Sequence, residues 1–135
     1  MKNERPAGSI ATVPNCGVVA LAATTGFPIE DIMAWYRNNL GKGPRWQGRL
    51  GWSELQKFLK AQGIGIKEAR RPSGSLKRYV EDNTVTTDQR GYIIRVGNHF
   101  VAVIGGEVID QTECALAADH WAKNKRVSHA MELSL

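Results

Sequence analysis

A cysteine, a histidine and an aspartate in this chain stand where each could act on the next. Cys16 opens the segment CGVVALAATTG, with Asn15 placed as a helix N-cap and Gly26 as the residue that ends the helix. At such a helix start the unpaired N–H groups and the positive dipole end favour a thiolate, lowering the cysteine pKa below its free value of roughly 8.5. The backbone N–H groups of Cys16 and Gly17 also suit a developing oxyanion. A lone cysteine is equally at home as a small buried hydrophobe, so its position alone decides nothing.

The histidine and the carboxylate come from one hairpin. In HFVAVIGGEVIDQ, Gly105 and Gly106 form a two-residue turn, which pairs Ile104 with Glu107, Val103 with Val108, Ala102 with Ile109 and Val101 with Asp110. His99 lies two residues from Val101, so it shares a face with Asp110 and is its diagonal neighbour across the ladder. An imidazole held by a carboxylate is what a nucleophilic thiol needs as base and acid; the same pair could also be a structural cross-strand contact. A sheet face packed on the start of the helix would set Cys16 beside His99.

The elements that must hold these residues follow from the hydrophobic pattern. Val18 to Ala23 leave no polar face, which makes this a buried central helix. FPIEDIMAWYRNNLG gives a second helix, with Pro28 in its first turn and a stripe of Ile29, Ile32, Met33, Tyr36 and Leu40. WSELQKFLKAQG gives a third, capped by Ser53, facing inward through Leu55, Phe58 and Leu59, and ended by Gly63. IGIKEA alternates as a short strand, and SLKRYVEDN is a short helix closed by Asn83. GYIIRV, HFVAVI, EVIDQ and RVSHAMEL then read as strands. Helices first and antiparallel strands afterwards predict an α+β fold, one domain over 1–135 with residues 1–13 as an N-terminal arm.

Composition narrows the classes. The chain has 135 residues, 42% hydrophobic and 23% charged, enough for a core and inconsistent with disorder. Lys2 and Arg5 have no apolar run behind them, so no secretory signal is expected, and no stretch approaches the ~20 residues of a membrane span. With two cysteines and no CxxC, the expectation is a reducing, cytoplasmic setting without a metal or other cofactor; Cys114, Asp119 and His120 lack the spacing of a strong metal site. The formal charge of +5 suits an anionic partner. Its clusters, Arg70-Arg71, Lys77-Arg78 and Lys123-Lys125-Arg126, lack interleaved aromatics and read first as solvated faces, which does not favour nucleic acid. His129, like His120, offers no further signal. Trp46 and Trp52, in the basic loop GKGPRWQGRLGW, either line a substrate cleft or close over the core.

NCGVVALA around Cys16, followed downstream by GYIIRVGNHFVAVIGGEVIDQ, resembles the papain-like cysteine peptidases, above all their small phage-type members. The similarity runs from Pro14 to Gln111, and its most specific part is the His–hairpin–Asp segment. It implies a papain-like fold, with the central helix packed on a C-terminal antiparallel sheet. It also implies Cys16 as nucleophile, His99 as base and acid, and Asp110 as the orienting residue, acting on a protein or peptide amide through a thioester. One position departs from the family: where it carries a Gln six residues before the cysteine as oxyanion donor, this chain has Ile10. That leaves Asn15, or the N–H groups of Cys16 and Gly17, to serve, while Gln111 alternates to the opposite face. The same triad fits acyl transfer as well as hydrolysis. A scaffold that has lost activity and grips an acidic protein or a nucleic acid is the reading from another class.

Overall fold

The computed structural model describes residues 4–9, 13–68, 74–82 and 91–134. Ile10, Arg70, Arg71, Asn83 and Lys2 lie outside the described residues. The elements run α1 Cys16–Thr25, α2 Ile29–Leu40, α3 Trp52–Ala61, β1 Gly65–Glu68, α4 Leu76–Asp82, β2 Tyr92–Val96, β3 His99–Ile104, β4 Glu107–Ile109, β5 Cys114–Leu116 and β6 Val127–Ser134. The strands form one antiparallel sheet in the order β1-β6-β2-β3-β4-β5. The fold is therefore α+β, helices before sheet.

Alternation along the strands divides the core in two. Ile93, Phe100, Ala102, Ile109, Met131 and Leu133 face α1, α2 and α3. Their neighbours Ile94, Val101, Val103, Val108 and Ala130 face the other way, onto Leu76 and Val80 of α4 and onto Ala117 and Ala122. Helix α1 is the centre of the first layer: Val18, Val19, Ala20 and Leu21 are wholly buried, as a helix without a polar face must be. Its last-turn hydroxyls turn inward onto its own carbonyls, Thr24 Oγ1 to Ala20 O at 2.9 Å and Thr25 Oγ1 to Leu21 O at 2.6 Å. Gly26, at φ 83°, ends it in the left-handed conformation that glycine adopts without strain. No single helix among the described residues is long and apolar enough to cross a membrane.

The hairpin forms in the expected register, Ala102↔Ile109, Val103↔Val108 and Ile104↔Glu107, with both turn glycines at positive φ. Several local expectations are corrected. The ladder stops at Ile109, so Asp110 has no strand partner at Val101. Helix α3 starts at Trp52 rather than behind Ser53; Gly51 occupies the N-cap, and Glu54 Oε1 accepts from its N–H at 2.9 Å. Pro28, with an extended backbone, is the N-cap of α2 rather than a first-turn residue, its carbonyl accepting from Ile32 N–H at 3.1 Å. Strand β5 had no alternating signal of its own, and its three residues are held by pairing with β4.

Candidate active site

Cys16, His99 and Asp110 come together at one end of the sheet. His99 Nε2 lies 2.8 Å from Asp110 Oδ2, with the carboxylate fully buried and the imidazole 18% exposed. The His99 side chain also hydrogen-bonds Cys16. Nε2 is committed to Asp110, which leaves Nδ1 for the sulfur, so the three groups form a relay in the order thiol, imidazole, carboxylate.

The way they meet differs from the sequence expectation. Helix α1 packs on the face carrying Phe100 and Ala102, whereas alternation puts His99 with Val101 and Val103 on the other. The thiol and the imidazole meet around the end of the sheet rather than on a shared face. Strand length permits this. Ile104 and Ala102 aim their backbone groups at β4, and Phe100, next in that alternation, points past the end of β4. Its N–H is free of the ladder and bonds the Cys16 sulfur.

Helix α1 contributes donors of its own. Its first intrahelical bond is Val19 N–H to Asn15 O at 3.0 Å, so the preceding N–H groups have no helical acceptor. Asn15 occupies the N-cap, yet its side chain makes no capping bond and its Oδ1 is buried without a partner. The expected cap is absent, and the first turn holds no acidic residue that would compete for the donors. Gly17 is buried, and a Cβ there would sit 3.1 Å from Leu55 Cδ2, so glycine is what allows α1 to press this close to α3.

These contacts set the ionisation. Burial pushes the Cys16 thiol up, but the hydrogen bond from His99, the N–H groups of Phe100 and Gly17, and the imidazole charge outweigh it and lower the pKa. Burial alone would lower His99; Asp110 and the thiolate reverse this and raise it to about 9. Burial likewise works against the Asp110 carboxylate, and its donors hold it far below the ordinary range. The arrangement suits a thiolate–imidazolium pair.

The donors around Asp110 are what sequence reasoning missed. Oδ1 accepts from Thr112 N–H at 2.9 Å, Thr112 Oγ1 at 2.7 Å and Glu113 N–H at 2.9 Å, and Oδ2 accepts from Trp121 Nε1 at 2.7 Å. The buried His120 takes the Ala122 N–H on Nδ1 at 3.1 Å, which places its proton on Nε2, 3.6 Å from Asp110 Oδ1. The Trp121 ring also leans over His99, at 5.2 Å between centroids. Asp-Gln-Thr-Glu is a readable Asx-turn signal that could have ended the strand at Ile109. Nothing in the pattern marked His120 or Trp121.

The other candidates have separate places. Gln111 is buried, and its Nε2 donates to Val13 O at 2.6 Å while Arg5 Nη1 donates to its carbonyl at 2.8 Å, fastening the N-terminal arm beside the Asp110 turn. Trp46 and Trp52 each pack against the core, and each also lines a cavity of about 550 Å³ that includes Phe100. Lys77 and Arg78 pair with Glu81 and Asp82 one turn on, at 2.8 and 3.4 Å. Among the described residues, no three His, Cys, Asp or Glu side chains are grouped as they would be to hold a metal ion.

Compared with known proteins, the chain matches no family model, no curated protein and no solved structure.

Proposed function

We propose that this chain is a papain-like cysteine hydrolase that cleaves amide bonds in a protein or peptide substrate through a thioester. The observation that carries the reading is the relay from the Asp110 carboxylate through His99 to the Cys16 thiol, ending beside first-turn N–H groups that have no acceptor within the helix. The layout supports it too, since a buried helix headed by the cysteine packs on a strand opened by the histidine.

The chemistry follows from the protonation states. With His99 protonated and Cys16 ionised, the sulfur attacks the carbonyl carbon and the carbonyl oxygen becomes an oxyanion. The N–H groups of Cys16 and Gly17 receive that charge, with the Asn15 amide beside them. His99 then gives its Nδ1 proton to the leaving nitrogen, the C–N bond breaks, and a thioester to Cys16 remains. The neutral imidazole next takes a proton from water as the water oxygen attacks the thioester. Collapse releases the acid and returns Cys16 as thiolate beside imidazolium. Asp110 keeps its charge throughout and holds the ring with Nδ1 toward the sulfur.

An electrophilic thiol probe tests the reading. It should label the wild-type chain on Cys16 near neutral pH, and Cys16→Ala should abolish both this labelling and the turnover of fluorogenic peptide amides. Alkylation of Cys16 no faster than that of a free thiol such as N-acetylcysteine would overturn it.

A further inference from the structure

The cavity that Trp46 and Trp52 line includes Phe100, the residue after His99 in β3, and its charge is unbalanced. The carboxylate on its lining, Glu54, is occupied by Lys42 at 2.6 Å and by the Gly51 N–H, and Glu68, outside the lining, is occupied by Trp52 Nε1 at 2.9 Å and Gln56 Nε2 at 2.8 Å. Two guanidinium groups on its lining are left. Arg49 is exposed and Arg95 half-buried, and no carboxylate of the described residues forms an ion pair with either; Arg95 reaches only the Gly97 carbonyl, at 3.2 Å. The same lining is aromatic, with Trp52 stacked on Phe100 at 6.1 Å. Both indole N–H groups are used internally, Trp46 on the Arg49 carbonyl at 2.9 Å and Trp52 on Glu68, so they add no polar demand on a ligand.

From this we infer that the groove is a substrate-binding subsite for an acidic peptide segment, with side-chain carboxylates on Arg49 and Arg95 and an apolar residue against the tryptophans. Guanidinium forks pair well with carboxylates, and aromatic rings in the same lining favour a chain that carries both acidic and apolar residues. The subsite gives part of the excess positive charge a task. It deepens the hydrolase reading and rests on it for its role as a substrate subsite, while the binding itself requires no turnover.

The test separates the two. The full chain with Cys16→Ala is titrated by fluorescence anisotropy against a labelled decapeptide alternating Asp with Leu or Phe, and against the same peptide with Asn for Asp. The Asp peptide should bind roughly tenfold tighter or better, and the preference should shrink as salt rises, as expected for exposed charge contacts. Arg49→Glu/Arg95→Glu should erase it with the melting temperature unchanged, whereas Lys77→Glu, on the far side of the sheet, should not. Equal binding of the two peptides, or an equal loss in Lys77→Glu, overturns the inference. So does a single-stranded oligonucleotide that displaces the Asp peptide at matched charge concentration, since the groove would then be a nucleic-acid site. Alkylation of wild-type Cys16 by iodoacetamide reports independently on the hydrolase reading. An unactivated thiol with intact Asp-peptide binding defeats only the hydrolase reading, and the reverse pattern defeats only the subsite.

Discussion

Cys16 and Cys114 are both partly buried, and both pack at the margin of the same apolar core, yet their surroundings push the two thiols apart. Burial raises the pKa of each. What differs is the sign of the neighbours. Cys16 faces an imidazolium and backbone N–H groups and ends below the ordinary thiol value. Cys114 opens the edge strand β5, where burial and the carboxylate of Glu107, with Oε2 4.0 Å from its sulfur, raise it to about 11. What lowers a thiol pKa in this fold is the set of donors aimed at it, and those donors are available where β4 stops at Ile109 and the N-cap side chain makes no bond to α1.

The largest expected effect is the contrast between deleting one thiol and deleting the other. Cys16→Ala should abolish turnover of any peptide amide found as a substrate, a fall of about 10⁴-fold or more for loss of a nucleophile. Cys114→Ala should leave kcat/KM within about twofold, a margin typical of a site distant from the chemistry. Comparable losses in both variants, with both folded by circular dichroism, would break the comparison.

Asp110→Asn comes next, because it removes the charge that orients His99 without changing the shape. Turnover should fall by roughly 10²–10⁴-fold, and the alkaline limb of the pH–rate profile, set by His99 near 9, should move toward neutrality. Stability should fall as well, by about 3 kcal/mol near neutral pH, since the half-buried imidazole loses its fully buried ionic partner. The sign of the pH dependence is fixed by direction. Asp110 is depressed when folded, so its contribution is present above the ordinary carboxylate pKa of about 4 and fades as pH falls below it. His99 is raised, so its contribution is complete below about 6.5 and is lost as pH rises through 9. Urea unfolding of both proteins should therefore show a gap that is widest between these limits and narrower at pH 3.

Much of this contrast was visible in the sequence, and its decisive details were not. Helix order, the hairpin register and the meeting of His99 with Asp110 follow from period and turn chemistry, which are local properties. The Gly105-Gly106 turn in particular leaves little freedom, because both residues need positive φ. The side of the sheet on which Cys16 meets His99 depends on where β4 ends, and that is set by Asp110 turning back to collect Thr112 and Glu113. Asn15 has the right type and place for a cap, yet tertiary packing buries it with no bond to the helix it precedes. His120 and Trp121 reach Asp110 from an irregular segment whose spacing carries no period, so only the folded chain brings them there.

Alkylation kinetics sharpen the contrast without needing a substrate. Between pH 6 and 8, iodoacetamide followed by peptide mapping should modify Cys16 at least about 10²-fold faster than Cys114, because the thiolate is the reacting form. His99→Ala should remove most of that advantage by taking away the imidazole that offsets burial. Equal rates at the two cysteines in the wild type would break the comparison outright.

Glu107→Gln has the smallest expected effect and isolates the sign of a single neighbour. Burial is the larger cause of the raised Cys114 pKa, and Glu107 adds to it through its charge alone. Neutralising that charge while keeping the shape should speed Cys114 alkylation a few-fold, the scale of one partly screened charge contact, and leave the Cys16 rate unchanged. Cys114 should remain far slower than Cys16, since burial, the larger cause of its raised pKa, is left in place. A jump in Cys114 to the Cys16 rate would mean that a single carboxylate separates the two environments, and the donors at the head of α1 would lose their part in activating the thiol.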